Sequence, residues 1–193
     1  MGYKHDKSAI IAQGVELIRK NGYHNVGINL ILKTMEIPKG SFYNFFDSKE
    51  AFGEEILNHY GERSLKMIKS YLDKPAPSPL LRLQEFYRML INSNESDGMD
   101  AGCLVNNMLI ELGGINERLG KVADRNFEIW LDTIATCIKE GQMKDEIIAH
   151  VPARDLAEFL HAGLYGAFAR MKAKRDRVYL DKWYTMSFEY IRQ

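Results

Sequence analysis

The chain has 193 residues, enough for one or two domains with a substantial core. Charged residues make up 27% and hydrophobic ones 46%; no apolar run reaches about 18 residues and no signal-peptide pattern opens the chain, so a membrane partner is excluded and a cytoplasmic location expected. Lys and Arg balance Asp and Glu at 26 each, yet residues 1–49 carry seven cations against four anions, so this stretch is +3 and the other 144 residues −3, as a basic nucleic-acid-reading head on an acidic body would be.

In chain order, Lys7 to Lys20 places Ile10, Ile11, Gly14, Val15, Leu17 and Ile18 at helical spacing, with Gln13, Glu16, Arg19 and Lys20 opposite. Asn21-Gly22 ends this helix, because glycine enters the left-handed region without a Cβ penalty. A second helix of about two turns runs from Asn29 to Met35, with Leu30, Ile31, Thr34 and Met35 as its packing residues. Glu36-Ile37 then connects to a short helix whose first turn suits Pro38, since proline lacks the N–H that has no partner there. Asp47 or Ser48 offers the cap of the next helix, with Glu50 three residues after Asp47 in capping-box fashion.

On the short helix Phe42 and Phe46 sit at i and i+4 and face inward, while Lys39, Ser41, Tyr43, Asn44 and Phe45 spread over the other faces. The chemistry of that outer set suits DNA. Lys39 pairs with a phosphate or a guanine edge, Ser41 and Tyr43 donate to phosphate oxygens, Asn44 matches adenine bidentately, and Phe45 meets a thymine methyl. The same five residues also suit an ordinary solvated helix, and the surrounding helices decide between the two. Three helices in the first 46 residues make a helix-turn-helix unit.

From about Ser8 to Phe52 the chain resembles the TetR family of transcriptional regulators. The residues that carry the likeness are Asn21-Gly22-Tyr23, the Ile31 helix, Ile37-Pro38-Lys39-Gly40-Ser41-Phe42-Tyr43, and Phe46-Asp47-Ser48-Lys49-Glu50-Ala51-Phe52. The resemblance implies a DNA-binding repressor, homodimeric, whose C-terminal helices hold a small-molecule effector pocket. Position by position it places Lys39, Gly40, Ser41, Tyr43, Asn44 and Phe45 on the DNA-facing helix and Lys49 on the phosphate-contacting start of the next. Gly27 where a hydroxyl residue is usual, Glu36 for the turn glycine and Phe45 at a commonly polar position depart from the pattern, and bear on the operator sequence more than on the fold.

A long helix follows from Ser48 to Leu72, stopped by Pro75-Ala76-Pro77-Ser78-Pro79. Next come a helix with Leu80, Leu83, Phe86, Tyr87, Leu90 and Ile91, a polar loop from Asn92 to Gly102, a helix from Cys103 to Leu112, and one from about Asn116 to Glu140 ended by Gly141. Pro152 opens a helix bearing Leu156, Phe159, Leu160, Leu164, Phe168 and Met171, and a last aromatic-rich helix carries Tyr179 to Ile191. The expected fold is all-α with about nine helices: a helix-turn-helix DNA-binding domain over residues 1–48 and a ligand-binding and dimerisation domain over 49–193. Ala162, Gly163, Gly166 and Ala167 would let another helix approach closely, so a homodimer through the last two helices is the preferred reading, with closure of the monomer core as the alternative.

Cys103 and Cys137 have no metal spacing, and neither metal nor cofactor is expected. Cys137, in an apolar stretch, reads as a packing residue. Cys103 is expected in the first turn of a helix, where the dipole favours a thiolate; burial without a cationic neighbour would instead leave it inert. Gly102-Cys103-Leu104-Val105-Asn106 with Glu111-Leu112 resembles a TetR subgroup associated with small reactive or unsaturated ligands. The expected effector site is therefore Cys103 with Phe86, Tyr87, Asn106, Asn107, Phe127, Trp130, His161, Tyr165 and Phe168, an apolar cavity with a few polar anchors. Each of those aromatics equally suits a core. An enzyme is disfavoured: His5, His24, His59, His150 and His161 are scattered, and no Gly-rich phosphate loop, nucleophile elbow or His-Glu-x-x-His pair is present. A helical sensor without DNA binding is the remaining alternative, which Lys39, Ser41, Tyr43 and Lys49 weigh against.

Overall fold

The computed structural model describes residues 6–96 and 102–193. Nine α-helices are found among them: α1 (Lys7–Asn21), α2 (Ile28–Thr34), α3 (Lys39–Tyr43), α4 (Lys49–Leu72), α5 (Pro79–Ser96), α6 (Leu104–Leu112), α7 (Glu117–Met143), α8 (Ala153–Lys174) and α9 (Val178–Ile191). The only β pairing among the described residues is an isolated bridge between Ile147 and Arg192. The chain divides into two compact units, Met1–Arg63 with Cys103–Asn126, and Ser64–Gly102 with Phe127–Gln193.

In the first unit, Asp6 caps α1 by accepting from the Ser8 N–H, and Ile10, Ile11, Gly14, Val15 and Ile18 form its buried face. Gly14 is a close-approach position: a Cβ there would lie 2.5 Å from Phe52 Cζ and 2.8 Å from Ile56 Cδ1 of α4. Gly22 ends α1 at φ +81°, its N–H on the Ile18 carbonyl at 2.8 Å. On α2 only Ile31 is fully buried; Leu30, expected to pack, is 39% exposed, because one buried residue per turn suffices for so short a helix.

The turn from α2 to α3 is a Schellman motif. The Ile37 N–H reaches the Leu32 carbonyl at 3.0 Å, the Glu36 N–H reaches Lys33 at 3.4 Å, and Glu36 takes the left-handed conformation at φ +53°. That conformation costs a residue with a Cβ about 1–2 kcal/mol. Glu36→Gly should therefore raise stability by about 0.5–1 kcal/mol after glycine's greater unfolded-chain entropy is subtracted. Thermal melts check this, and a lowered Tm would mean that the Glu36 side chain outweighs its strain.

Pro38 stands just outside α3, at its N-cap with ψ 147°, where its missing N–H is again no loss. The cap of α4 is Ser48, whose Oγ accepts from the Ala51 N–H at 3.0 Å. The capping box expected between Asp47 and Glu50 is not formed. Glu50 instead accepts from Asn116 Nδ2 at 2.7 Å and lies 3.8 Å from Arg118.

In the second unit α5 continues past Asn92 to Ser96, beyond the start expected for the loop; Asp100 and Ala101, the expected approach to α6, lie outside the described residues. Gly141 does not end α7, which runs on to Met143. The left-handed turn falls on Asp145 (φ +55°), and Gly141 is instead the seat of Ile147, whose Cδ1 would be 2.5 Å from a Cβ there. Pro152 caps α8 from just outside it. Gly163 is not open to a further helix, since Trp183 Nε1 of α9 lies 2.5 Å from where its Cβ would be, whereas nothing comes within 4 Å at Gly166. Ala167 is buried and Ala162 exposed, so the small-residue stripe divides between the α8–α9 contact and the outer face.

Candidate nucleic-acid interface and effector cluster

α3 has five residues, too few to hold a helix without tertiary support. Support comes from Phe42 (0% exposed), whose ring lies 5.1 Å from Phe46 and 5.3 Å from Phe52, with Phe46 and Phe52 themselves 4.8 Å apart. This triangle of edge and tilted contacts fixes the helix against α4. Lys39, Gly40, Tyr43 and Asn44 are consequently exposed, and Ser41 and Phe45 are half-buried beside them. Lys39 Nζ stands 5.9 Å from the Tyr43 ring centroid, so cation and phenol share one patch. Of the outward set expected from the sequence, Lys39, Gly40, Ser41 and Tyr43 lie on α3, while Asn44 is its C-cap and Phe45 stands in the turn just beyond.

Lys49 is placed differently from its expected phosphate role. Its Nζ donates to the Tyr23 carbonyl at 2.7 Å and sits 4.2 Å from the Tyr23 ring centroid, so its ammonium anchors the α1–α2 loop. Its partial burial lowers its pKa, against which the Glu111 carboxylate acts. Glu111, on α6, enters here with no local signal to announce it: it accepts from the Tyr23 N–H at 2.9 Å and the His24 N–H at 2.6 Å. Tyr23's own hydroxyl is pushed up to about 12 by burial and then by Glu50 and Glu111.

Of the expected effector residues, Cys103, Asn106 and Asn107 lie in the first unit at the start of α6, all half-buried. Cys103 is the N-cap rather than a first-turn residue, and its thiol makes no capping bond; it lies against the Tyr60 hydroxyl of α4 instead. Cys137 is 4% exposed, donates weakly to the Pro79 carbonyl at 3.6 Å, and is pushed up to about 11 by burial, as an inert packing thiol should be.

The other seven lie in the second unit and six of them converge on or beside His161. Its Nδ1 is 3.3 Å from the Tyr87 hydroxyl and its Nε2 3.3 Å from the Tyr165 hydroxyl. Phe127 and Trp130 lie 5.5 Å and 6.5 Å from it by ring centroid, Tyr165 contacts Phe168 at 6.2 Å, and Phe86 meets Tyr87 edge-on at 5.0 Å. A neutral imidazole has one donor and one acceptor nitrogen, so one tyrosine donates and the other accepts.

Burial holds the His161 pKa down to about 4. The unfolded chain, with a histidine near 6.5, binds the proton more readily, so stability is full above pH 6.5 and is lost as pH falls toward 4. Between pH 7.5 and pH 5 the loss should be about 2 kcal/mol from this residue, and His161→Gln should flatten the slope. Urea titrations at the two pH values measure it; an unchanged slope in the variant would assign the loss to other groups.

Comparison with known proteins bears on both regions. Residues 10–56 match the model for bacterial regulatory proteins of the tetR family, and residues 79–186 match the tetracyclin repressor-like C-terminal domain. The chain is 34% identical over 180 residues to the HTH-type transcriptional repressor DhaR of Mycobacterium sp. (strain GP1), covering 93% of this chain and 89% of that protein. It belongs to the TetR family of transcriptional regulators. A second relative, the transcriptional regulator AcuR of Cereibacter sphaeroides, is 31% identical over 164 residues, covering 85% of this chain and 75% of that protein. A crystal structure of regulatory protein TetR from Rhodobacter sphaeroides superposes with a TM-score of 0.89 at 28% identity, covering 95% of this chain and 97% of that one.

As a TetR-family protein the chain is a DNA-binding transcriptional regulator and not an enzyme. The sequence likeness spans both the α1–α3 region and the C-terminal helices. No described helix is long and apolar enough to cross a membrane.

Proposed function

We propose that the protein acts as a homodimeric repressor that reads a pseudo-palindromic operator with α3 and is released by a small-molecule or electrophilic effector. Residues 1–48 form the reading head, and residues 49–193 carry effector binding and dimerisation. The observation that carries this reading is the display of Lys39, Tyr43 and Asn44 on a helix pinned from beneath by Phe42, Phe46 and Phe52. Lys39, Ser41 and Tyr43 engage phosphates, while Asn44 and Phe45 meet base edges. Lys49 serves mainly by anchoring the loop behind the head.

Support for the dimer comes from the outer face of α8 and α9. Phe159, Met186 and Tyr190 are 48%, 69% and 53% exposed, and a groove of about 520 Å³ runs between them and Trp183, Leu156 and Val151. A second copy packed there would bury these side chains and present two heads about one helical turn apart or a multiple of it. The aromatic cluster at His161 supplies the apolar body of the effector site, with Tyr87 and Tyr165 as polar anchors. Cys103, half-buried beside Tyr60, is the residue through which an electrophile would act.

Fluorescence anisotropy on a duplex selected by the protein tests this reading. Tyr43→Ala should weaken binding to every sequence alike by about tenfold, whereas Asn44→Ala should relax preference at particular base pairs worth about 1–3 kcal/mol each. Full preference retained by Asn44→Ala would remove the base-reading assignment. Electrophile-induced release retained by Cys103→Ser would remove the thiol's role.

A further inference from the structure

We propose that Glu111 is the positioning residue that holds the α1–α2 loop, and through it the reading helix α3, from outside the helix-turn-helix unit. The inference rests on the reading of α3 as the DNA-reading helix and adds a residue that touches no DNA.

The loop between α1 and α2 decides how the α2–α3 pair is aimed, and its backbone is held from outside the helix-turn-helix unit. Two consecutive N–H groups, of Tyr23 and His24, converge on one carboxylate 88 and 87 residues later in the chain, at 2.9 Å and 2.6 Å. Hydrogen bonds to a charged acceptor are about twice as strong as neutral ones and fall off steeply with distance. Gly22 makes room for the carboxylate: at φ +81° a Cβ there would lie 3.3 Å from Glu111 Oε2. Lys49 completes the grip by taking the Tyr23 carbonyl at 2.7 Å. A segment of two residues, Tyr23 and His24, thus has two donors and one acceptor fixed by charged side chains of opposite sign.

The test uses the full-length protein, the duplex enriched by the wild type from a random pool, and a scrambled duplex of equal length. Glu111→Ala should weaken binding to the enriched duplex about tenfold while leaving the scrambled duplex unchanged or tighter, because an anion has been removed. Amide exchange at Tyr23 and His24 should quicken at least tenfold with core amides of α1 and α4 unaffected. Glu111→Gln, which keeps an acceptor oxygen, should recover most of both.

A folded Glu111→Ala protein with wild-type selectivity overturns the proposal, as does an equal loss on both duplexes with exchange quickened throughout, which marks general destabilisation. Should Glu111→Ala fail to fold, a Glu111→Gln protein whose selectivity falls as far as complete loss of the acceptor predicts overturns it too. Absence of any enriched duplex for the wild type would overturn the DNA-reading assignment of α3 and this proposal with it. Enrichment that Glu111→Ala leaves intact removes the role of Glu111 alone.

Discussion

Phe42→Ala should cost about 3–5 kcal/mol and abolish sequence-specific DNA binding although Phe42 touches no DNA. The ring is fully buried and meets both Phe46 and Phe52, the one within its own segment and the other on α4. Truncation removes the aromatic contacts and leaves a cavity bounded by rings that are themselves held by α1 through Gly14, where Phe52 is already tightly seated. α3 has no independent means of persisting, because five residues form too few intrahelical bonds to offset nucleation. Against a total stability of about 5–15 kcal/mol the loss is large, and the reading helix should fray first. Urea unfolding followed by circular dichroism gives the magnitude, and amide exchange in residues 39–46 gives the location. A cost below about 1 kcal/mol would show that the head is held by something other than the aromatic triangle.

Arg82→Ala should cost about 3–5 kcal/mol through a different mechanism. Arg82 is 3% exposed, and its guanidinium donates to the Leu72 carbonyl at 2.6 Å, to the Lys74 carbonyl and to the Glu140 carboxylate. It therefore caps the end of α4 where the proline-rich stretch stops it, using a side chain from α5 and a counter-ion from α7. Removal orphans two carbonyls at the helix end, and orphaned buried acceptors are the expensive part of a lost hydrogen bond. Glu140 is itself 36% exposed in its side chain and also accepts from Lys144, whose hydrogen bond ahead of that of Arg82 holds its carboxyl below the usual range. Glu140→Gln should accordingly cost under about 1 kcal/mol. Equal costs for the two variants, measured by chemical denaturation, would mean that the ion pair rather than the carbonyl contacts carries the energy.

The helices were legible wherever a local signal set them. Period 3.6 placed α1, α4 and the last three helices, Asn21-Gly22 marked the end of α1, and Pro75 to Pro79 marked the end of α4. The inward pair Phe42 and Phe46 and the outward set on α3 followed from i to i+4 spacing alone. Elsewhere the local signal had two readings and tertiary packing chose between them. Gly141 could end a helix or seat a side chain, and Ile147 makes it the latter; Gly163 could admit a second copy or α9, and Trp183 fills the space. Asp47 and Ser48 were equally good caps, and Ser48 takes the role while Glu50 is drawn to Asn116, just before α7, and to Arg118 on it.

The contacts of Glu111 and Lys49 had no local signature at all. They join residues 26 to 88 positions apart, and no periodicity or motif of one sequence encodes which backbone groups a distant carboxylate will meet. His161 illustrates the middle case. Its helix and its aromatic neighbours on α8 were readable, whereas its isolation between Tyr87 and Tyr165, which suppresses its protonation, depends on α5 and α7 packing around it.

The measurement that bears most directly on the account is selection of bound duplexes from a random DNA pool by the purified protein. A pseudo-palindrome whose half-sites are separated by about one helical turn or a multiple of it should be enriched, with enrichment lost when Lys39, Tyr43 and Asn44 are replaced by alanine. No enriched sequence at low salt from a folded dimer, or enrichment that survives the alanine substitutions, would contradict the assignment of α3 as the reading helix.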